Sequence, residues 1–208
     1  MYSLLRKAAL LGTLGKVDEA IATIVSKRDD VRNDWMIPIS CRFEMQYASL
    51  LCRSGDGYKA LHILDECWGV ARRASLPRLR AMVERRQAMI KIQDGLRDEA
   101  LKLMTSCKAE MLSTCGHVEE CLYHLTMCEL ALMPYAEWPE YVFDKEVLMH
   151  ASLARQAAEK MGCPMLQKSA LAMGARVCGK QKGRLSAIVY RIKELNDLCP
   201  ATVDWSLL

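Results

Sequence analysis

Cysteine and histidine gather most densely at Cys115, His117, Cys121, His124 and Cys128. On a helix, Cys121, His124 and Cys128 stand at i, i+3 and i+7 and share one face. Thiolate and imidazole are the ligands of a tetrahedral zinc site, so zinc is the first chemistry to weigh. The pattern argues against it. Cys121, Leu125 and Cys128 continue an apolar stripe, and no CxxC pair is present to make a compact knuckle. A cysteine nucleophile beside His117 or His124 would need an orienting third group and oxyanion donors in a pocket. Gly179, Gly183 and the lysines between them resemble a phosphate loop in composition only, without the spacing GxxxxGK[ST]. Paired carboxylates do not stand out. The expectation is a chain that is not an enzyme and binds no metal or cofactor. The ten cysteines fill core space as reduced thiols, in the nucleus and cytoplasm.

Charge is more informative. The whole chain carries only +4, yet the window from Arg72 to Lys91 holds seven basic residues and one acid, Glu84, a net +6. The window from Arg176 to Lys193 holds six basic residues and no acid, again +6. Solvated helix faces are one explanation. An acidic protein partner is the other. Nucleic acid ranks behind both, because aromatics do not interleave with the basic residues as a single-strand binder requires.

The elements that must position these residues repeat. Ala20, Ala60 and Ala100 lie forty residues apart, each five residues after Gly15, Gly55 or Gly95 and twelve after Ala8, Ala48 or Ala88. LRKAALLGTLGKVDEAIATI, EMQYASLLCRSGDGYKALHIL and RRQAMIKIQDGLRDEALKLM each read as helix, glycine turn and second helix. A small residue on each helix lets the pair pack closely, and such hairpins must stack to bury their apolar faces. Helices are expected at about 1–14, 17–29, 38–53, 57–74, 77–93, 96–115, 117–133, 141–161, 164–179 and 183–198. Pro38, Pro77 and Pro164 suit first-turn positions, and Gly116 and Gly162 suit helix ends. SLPRLRAM matches GCPMLQKS at an offset of 87 residues, which carries Ala88 and Ala100 onto Ala175 and Ala187. That makes five hairpins, at about 1–36, 37–75, 76–115, 116–162 and 163–198, with a tail at 199–208. The fourth is enlarged by an insertion at Met133–Glu140, and Cys128 keeps its small-residue phase. No run of roughly 18 apolar residues could span a membrane. MYSLLRKAALLGTLG already carries the first repeat, so it is read as fold rather than signal peptide, and the absence of a polar cap suggests a fragment of something longer.

The Ala/Gly/Ala spacing resembles the tetratricopeptide repeat with a lengthened period. The expected architecture is therefore an all-α, TPR-like right-handed superhelix. Its concave face, carried over by phase, is Arg42, Met45, Ser49, Cys52 and Arg53, then Met82, Arg85, Met89, Ile92 and Gln93. With the basic Arg78 and Arg80, these are the candidate partner-binding residues: Arg42, Met45, Arg53, Arg78, Arg80, Arg85 and Met89. Met and Arg suit an adaptable protein contact. Trp138 and Trp205 are candidate anchors or buried caps.

LLRKAALLGTLGKVDEAI, ASLPRLRAMVERRQAMIKIQDGLRDEALKL, CGHVEECLYHLTMCELALM and LARQAAEKMGCPMLQKSALAMGARVCGKQKGRLSAIVYRIKEL resemble the C-terminal repeats of the anaphase-promoting complex subunit 5 family. The resemblance implies a non-catalytic platform subunit of a large ubiquitin ligase in mitosis, with other protein subunits as partners. The second reading is another TPR-like adaptor, cohesin-loader-like or a transcriptional regulator. Nucleic-acid binding stands third.

Overall fold

Among the described residues, six with positive φ set the turns. Gly15 (78°), Gly55 (94°) and Gly95 (77°) reverse the chain within hairpins, Gly116 (86°) and Gly162 (61°) reverse it later, and Ser75 (53°) does so between the second and third hairpins. At Gly15 the amide of Lys16 bonds back to the carbonyl of Leu11, five residues earlier. Asp56 to Leu51, Leu76 to Ala71, Leu96 to Lys91 and Cys163 to Ala158 repeat this bond. It satisfies helix-end carbonyls through one left-handed residue. A side chain is disfavoured there, which explains the glycines.

The computed structural model describes residues 2–31, 37–134, 140–178 and 182–208. Among them are ten α-helices and no strand: α1 (Tyr2–Thr13), α2 (Val17–Val31), α3 (Ile37–Arg53), α4 (Gly57–Arg73), α5 (Pro77–Gln93), α6 (Arg97–Ser113), α7 (His117–Leu132), α8 (Glu140–Lys160), α9 (Pro164–Val177) and α10 (Lys182–Leu198). The expected boundaries fall within about two residues of these, the usual uncertainty of a helix end. Pro77 and Pro164 stand in the first turns of α5 and α9.

Each helix packs against the next, and α1, α3, α5, α7 and α9 also touch in series. These first helices form an inner layer of a helical-repeat superhelix, and the second helices form the outer one. Ala8, Ala20, Ala48, Ala60, Ala88, Ala100 and Cys128 have no exposed surface, as the repeat register requires. The fifth hairpin departs from that register. Ala175 is half-buried and Ala187 exposed. Gly174 makes the close contact instead, its Cα side facing Ala151 and Ile188. Among the described residues no hairpin packs on the far side of α10, so its apolar phase is less constrained.

Two cores result. The larger runs through the first three hairpins and includes Phe43, Leu50, Leu64, Met104 and Met111. The smaller, between α7, α8 and α9, holds Cys121, Leu125, Cys128 and the alanines Ala151, Ala154, Ala157 and Ala158. Burying each large apolar side chain stabilises the fold by roughly 1.5–3 kcal/mol. The insertion's residues 135–139, Trp138 among them, lie outside the described residues.

Candidate functional site

The cysteine–histidine cluster does not assemble as a site. Cys121 and Cys128 are fully buried, and burial pushes both thiols up to about 12, so they remain protonated and apolar. His124 turns to α8, where its Nδ1 lies 2.9 Å from Nδ1 of His150. Burial, with His150 beside it, drives the His124 pKa down to about 4. His117 instead meets Glu120, 2.7 Å away. Among the described residues, no three His, Cys, Asp or Glu side chains gather as a metal site.

The inner layer is different. Its helices line one concave groove, and the chain's own tail lies in it. Beyond α10 the backbone is pinned by Lys168 of α9. The ammonium donates to Asn196 Oδ1 (2.9 Å), Cys199 O (2.7 Å) and Ala201 O (2.6 Å). The Asp204 amide then donates to Thr13 Oγ1 at the end of α1, and the Asp204 carboxylate pairs with Arg53 of α3. The same carboxylate accepts from the Ser206 amide (3.1 Å) and hydroxyl (2.6 Å), capping a single 3-10 turn, Trp205–Leu207. Leu207 is 1% exposed and inserts against Gly12 and Leu50. The carbonyl of Leu208 accepts from Arg86 of α5. Leu207 belongs to the larger core, while Val203, Trp205 and Leu208 pack on the smaller, so the tail joins the two.

Beside Leu208 the groove keeps a cavity of about 570 Å³, whose walls include Arg6, Arg42, Gln46, Arg86 and Glu119. Three cations face one acid there. Gln46 Nε2, Arg86 Nε and Glu119 Oε2 are buried without a hydrogen-bond partner. Burial and the adjacent Arg85 guanidinium both work against the charged form of Arg86. An anionic or carbonyl oxygen arriving here would meet unused donors, which is what an unsatisfied buried polar group favours.

The residues expected on the concave face fall into three groups. Arg42 lines the cavity. Arg53 and Met89, with Ser49, Cys52 and Gln93, form a smaller recess of about 60 Å³ against Ser206 of the tail. Met45 and Arg85 must be corrected, because neither has any exposed surface and neither can meet a partner. Each inner helix is flanked by its hairpin mate and by neighbouring hairpins, which leaves only a narrow stripe open. Arg85 lies behind that stripe, its Nε 3.7 Å from Glu119 Oε2. Outside the groove, Arg78 is exposed and Arg80 sits 3.7 Å from Glu84, which also accepts from Trp68 Nε1. The basic window is therefore not one surface, since Arg85 and Arg86 point inward. Arg176 likewise pairs with Glu129 at 2.8 Å. The site residues absent from the sequence reading are Lys168, Asp204 and Leu207; Arg86 counts there only as part of the basic window. Their only local sign is the capped apolar turn in VDWSLL.

Residues 7–208 match the model of the suppressor of spindle checkpoint defect 1 C-terminal domain. The chain belongs to that family. This overturns the resemblance to the anaphase-promoting complex subunit 5 family, since the family model spanning almost the whole chain is a different one. No curated protein matches the chain. The family's name ties it to the spindle checkpoint, in agreement with an expected cell-cycle role in protein interaction. Among the described residues, no helix is long and apolar enough to cross a membrane.

Proposed function

We propose that this domain is a non-catalytic protein-interaction module of the spindle checkpoint, working in the nucleus and cytoplasm, and that its concave groove is the interface. The observation that carries the reading is the tail itself. The groove already holds a short segment, partly turned, through an ion pair, backbone hydrogen bonds and one deeply inserted leucine, as a helical repeat can hold a peptide. Its walls offer arginine, methionine and glutamine, residues suited to contact rather than to chemistry.

The test is functional replacement in dividing cells. Cells lacking the endogenous protein receive the full protein carrying either Arg53→Glu in the groove or Tyr58→Ser on the outer surface, where Tyr58 is 85% exposed. Mitotic arrest time under spindle poison is the readout. Restoration by Tyr58→Ser and failure by Arg53→Glu, at equal protein levels, is the expected result. Equal restoration by both would remove the groove from the function.

A further inference from the structure

The groove is filled, and the manner of filling specifies what else fits. Residues 203–208 present, in order, an apolar residue, an acid, an indole, a small hydroxyl and two leucines. Three of them have a counterpart on the inner layer. The acid meets Arg53, the first leucine enters the slot at Gly12 and Leu50, and the final carbonyl reaches Arg86. The slot is shaped by the absence of a side chain at Gly12, where a Cβ would stand 2.7 Å from Leu207 Cδ1.

The fit is incomplete. The cavity of about 570 Å³ next to Leu208 stays open, and Gln46 Nε2 and Arg86 Nε at its wall have no acceptor. An occupant bulkier or more acidic than the tail at this end would satisfy groups that the tail leaves bare. The tail also has a built release point. Lys168 is buried, and only neutral oxygens hold its ammonium, two of them the carbonyls of Cys199 and Ala201. Detaching the tail as far back as Cys199 would break two of the three hydrogen bonds of that cation. Residues 202–208 can leave while Cys199–Ala201 stay pinned.

We propose that the groove is a receptor for a short segment of a protein partner with the pattern acid, aromatic, small, aliphatic, aliphatic, in which the acid caps a single turn, and that residues 202–208 occupy it in cis until such a segment displaces them. This rests on the reading of the groove as the interface. The tail is tethered a few residues from its site, so its effective concentration is in the millimolar range and it competes with any incoming segment. A partner wins by filling the open cavity and placing an acid among Arg6, Arg42 and Arg86.

The experiment uses the full chain and a fluorescein-labelled synthetic peptide of residues 202–208, TVDWSLL. One protein is unaltered. A second carries Asp204→Asn and Leu207→Ser, which weaken the cis tail, remove its charge and leave Arg53, Gly12 and Leu50 of the groove unaltered. Fluorescence anisotropy should show the peptide binding the tail-weakened chain more than about tenfold tighter than the unaltered chain. Adding Arg53→Glu to the tail-weakened chain should abolish that binding, and a peptide bearing Asp204→Lys should restore it. The reciprocal charge exchange reports the groove and not general stickiness. A folded tail-weakened chain that ignores the peptide overturns the proposal, while the checkpoint-timing test can still uphold the groove by another mode. Unfolding of the tail-weakened chain, seen by circular dichroism, also overturns it, because the tail would then be a structural strap. A milder Asp204→Asn chain guards that reading: amides of 203–207 should exchange faster while α3 and α5 remain protected, and simultaneous loss of protection counts against an exchangeable tail. A concentration-dependent dimer of the unaltered chain, lost with Asp204→Lys, would assign the occupant to a second copy and overturn the partner assignment.

Discussion

Gly12→Ala should loosen the tail without loosening the repeats. Gly12 lies one residue before the end of α1, and its φ is not in the left-handed region, so alanine is allowed by the backbone. Alanine favours the helix over glycine by about 0.8–1 kcal/mol. The new methyl group would nonetheless meet Leu207 Cδ1 at 2.7 Å and Leu50 Cδ2 at 2.9 Å. Both leucines are buried in the larger core, but Leu50 is held within the seventeen-residue α3, whereas Leu207 stands on a single 3-10 turn. The collision is therefore relieved through the tail. Overpacking of this kind costs about 1–3 kcal/mol, and withdrawal of the leucine forfeits about 2 kcal/mol of burial. Set against the helix gain, global stability should change by less than about 1 kcal/mol, while tail docking weakens by about 2 kcal/mol. That corresponds to roughly a thirtyfold faster amide exchange over 203–207. Hydrogen exchange read by mass spectrometry compares this segment with 43–51 of α3. Unchanged protection of the tail would refute the reasoning, and so would equal acceleration of both segments.

Ala60→Leu, at a helix contact with no exposed surface, should overpack the second hairpin and lower stability by about 1–3 kcal/mol in urea titration; an unchanged midpoint would put the repeat register in error. Arg85→Met strands Glu119 in the interior and should cost about 3–5 kcal/mol, and adding Glu119→Leu should recover most of it, as replacement of a whole buried pair does. The His124 pKa, displaced from 6.5 to about 4, means that the folded chain refuses protons which the unfolded chain accepts. Stability is therefore full above about pH 6.5 and falls as pH drops towards 4. His124→Leu should show a smaller fall in urea midpoint between pH 7 and pH 5, and an equal fall would discount the histidine pair.

The fold was legible where single residues carry a backbone demand. Gly15, Gly55 and Gly95 mark left-handed turns because other side chains resist them. Ser75 adopts the same φ without advertising it, so the link between the second and third hairpins is visible only through Pro77. Alanine spacing gave the close contacts of three hairpins, because a small residue between helices leaves little choice of partner. It misled at Ala187, where Gly174 rather than Ala175 makes the close contact and α10 turns its alanine outward. Depth was harder to read than phase. Met45 and Arg85 share the stripe of true groove residues, but the burial of Arg85 depends on Glu119, one hairpin away. The tail was least legible. Its docking joins Thr13, Arg53, Arg86 and Lys168, on four helices, and no local periodicity reports such a contact. The repeat texture that suggested one family is common to many helical repeats, so it did not discriminate among them.

Partners of this domain are proposed to engage the groove now held by residues 202–208. The most direct measurement is quantitative co-purification from mitotic cells expressing, at native levels, the unaltered protein, Arg53→Glu or Tyr58→Ser. The same set of proteins should come with the unaltered protein and with Tyr58→Ser, and at least one member should be lost with Arg53→Glu, while the repeats stay folded by circular dichroism. Recovery of the full set with Arg53→Glu would contradict engagement of the groove.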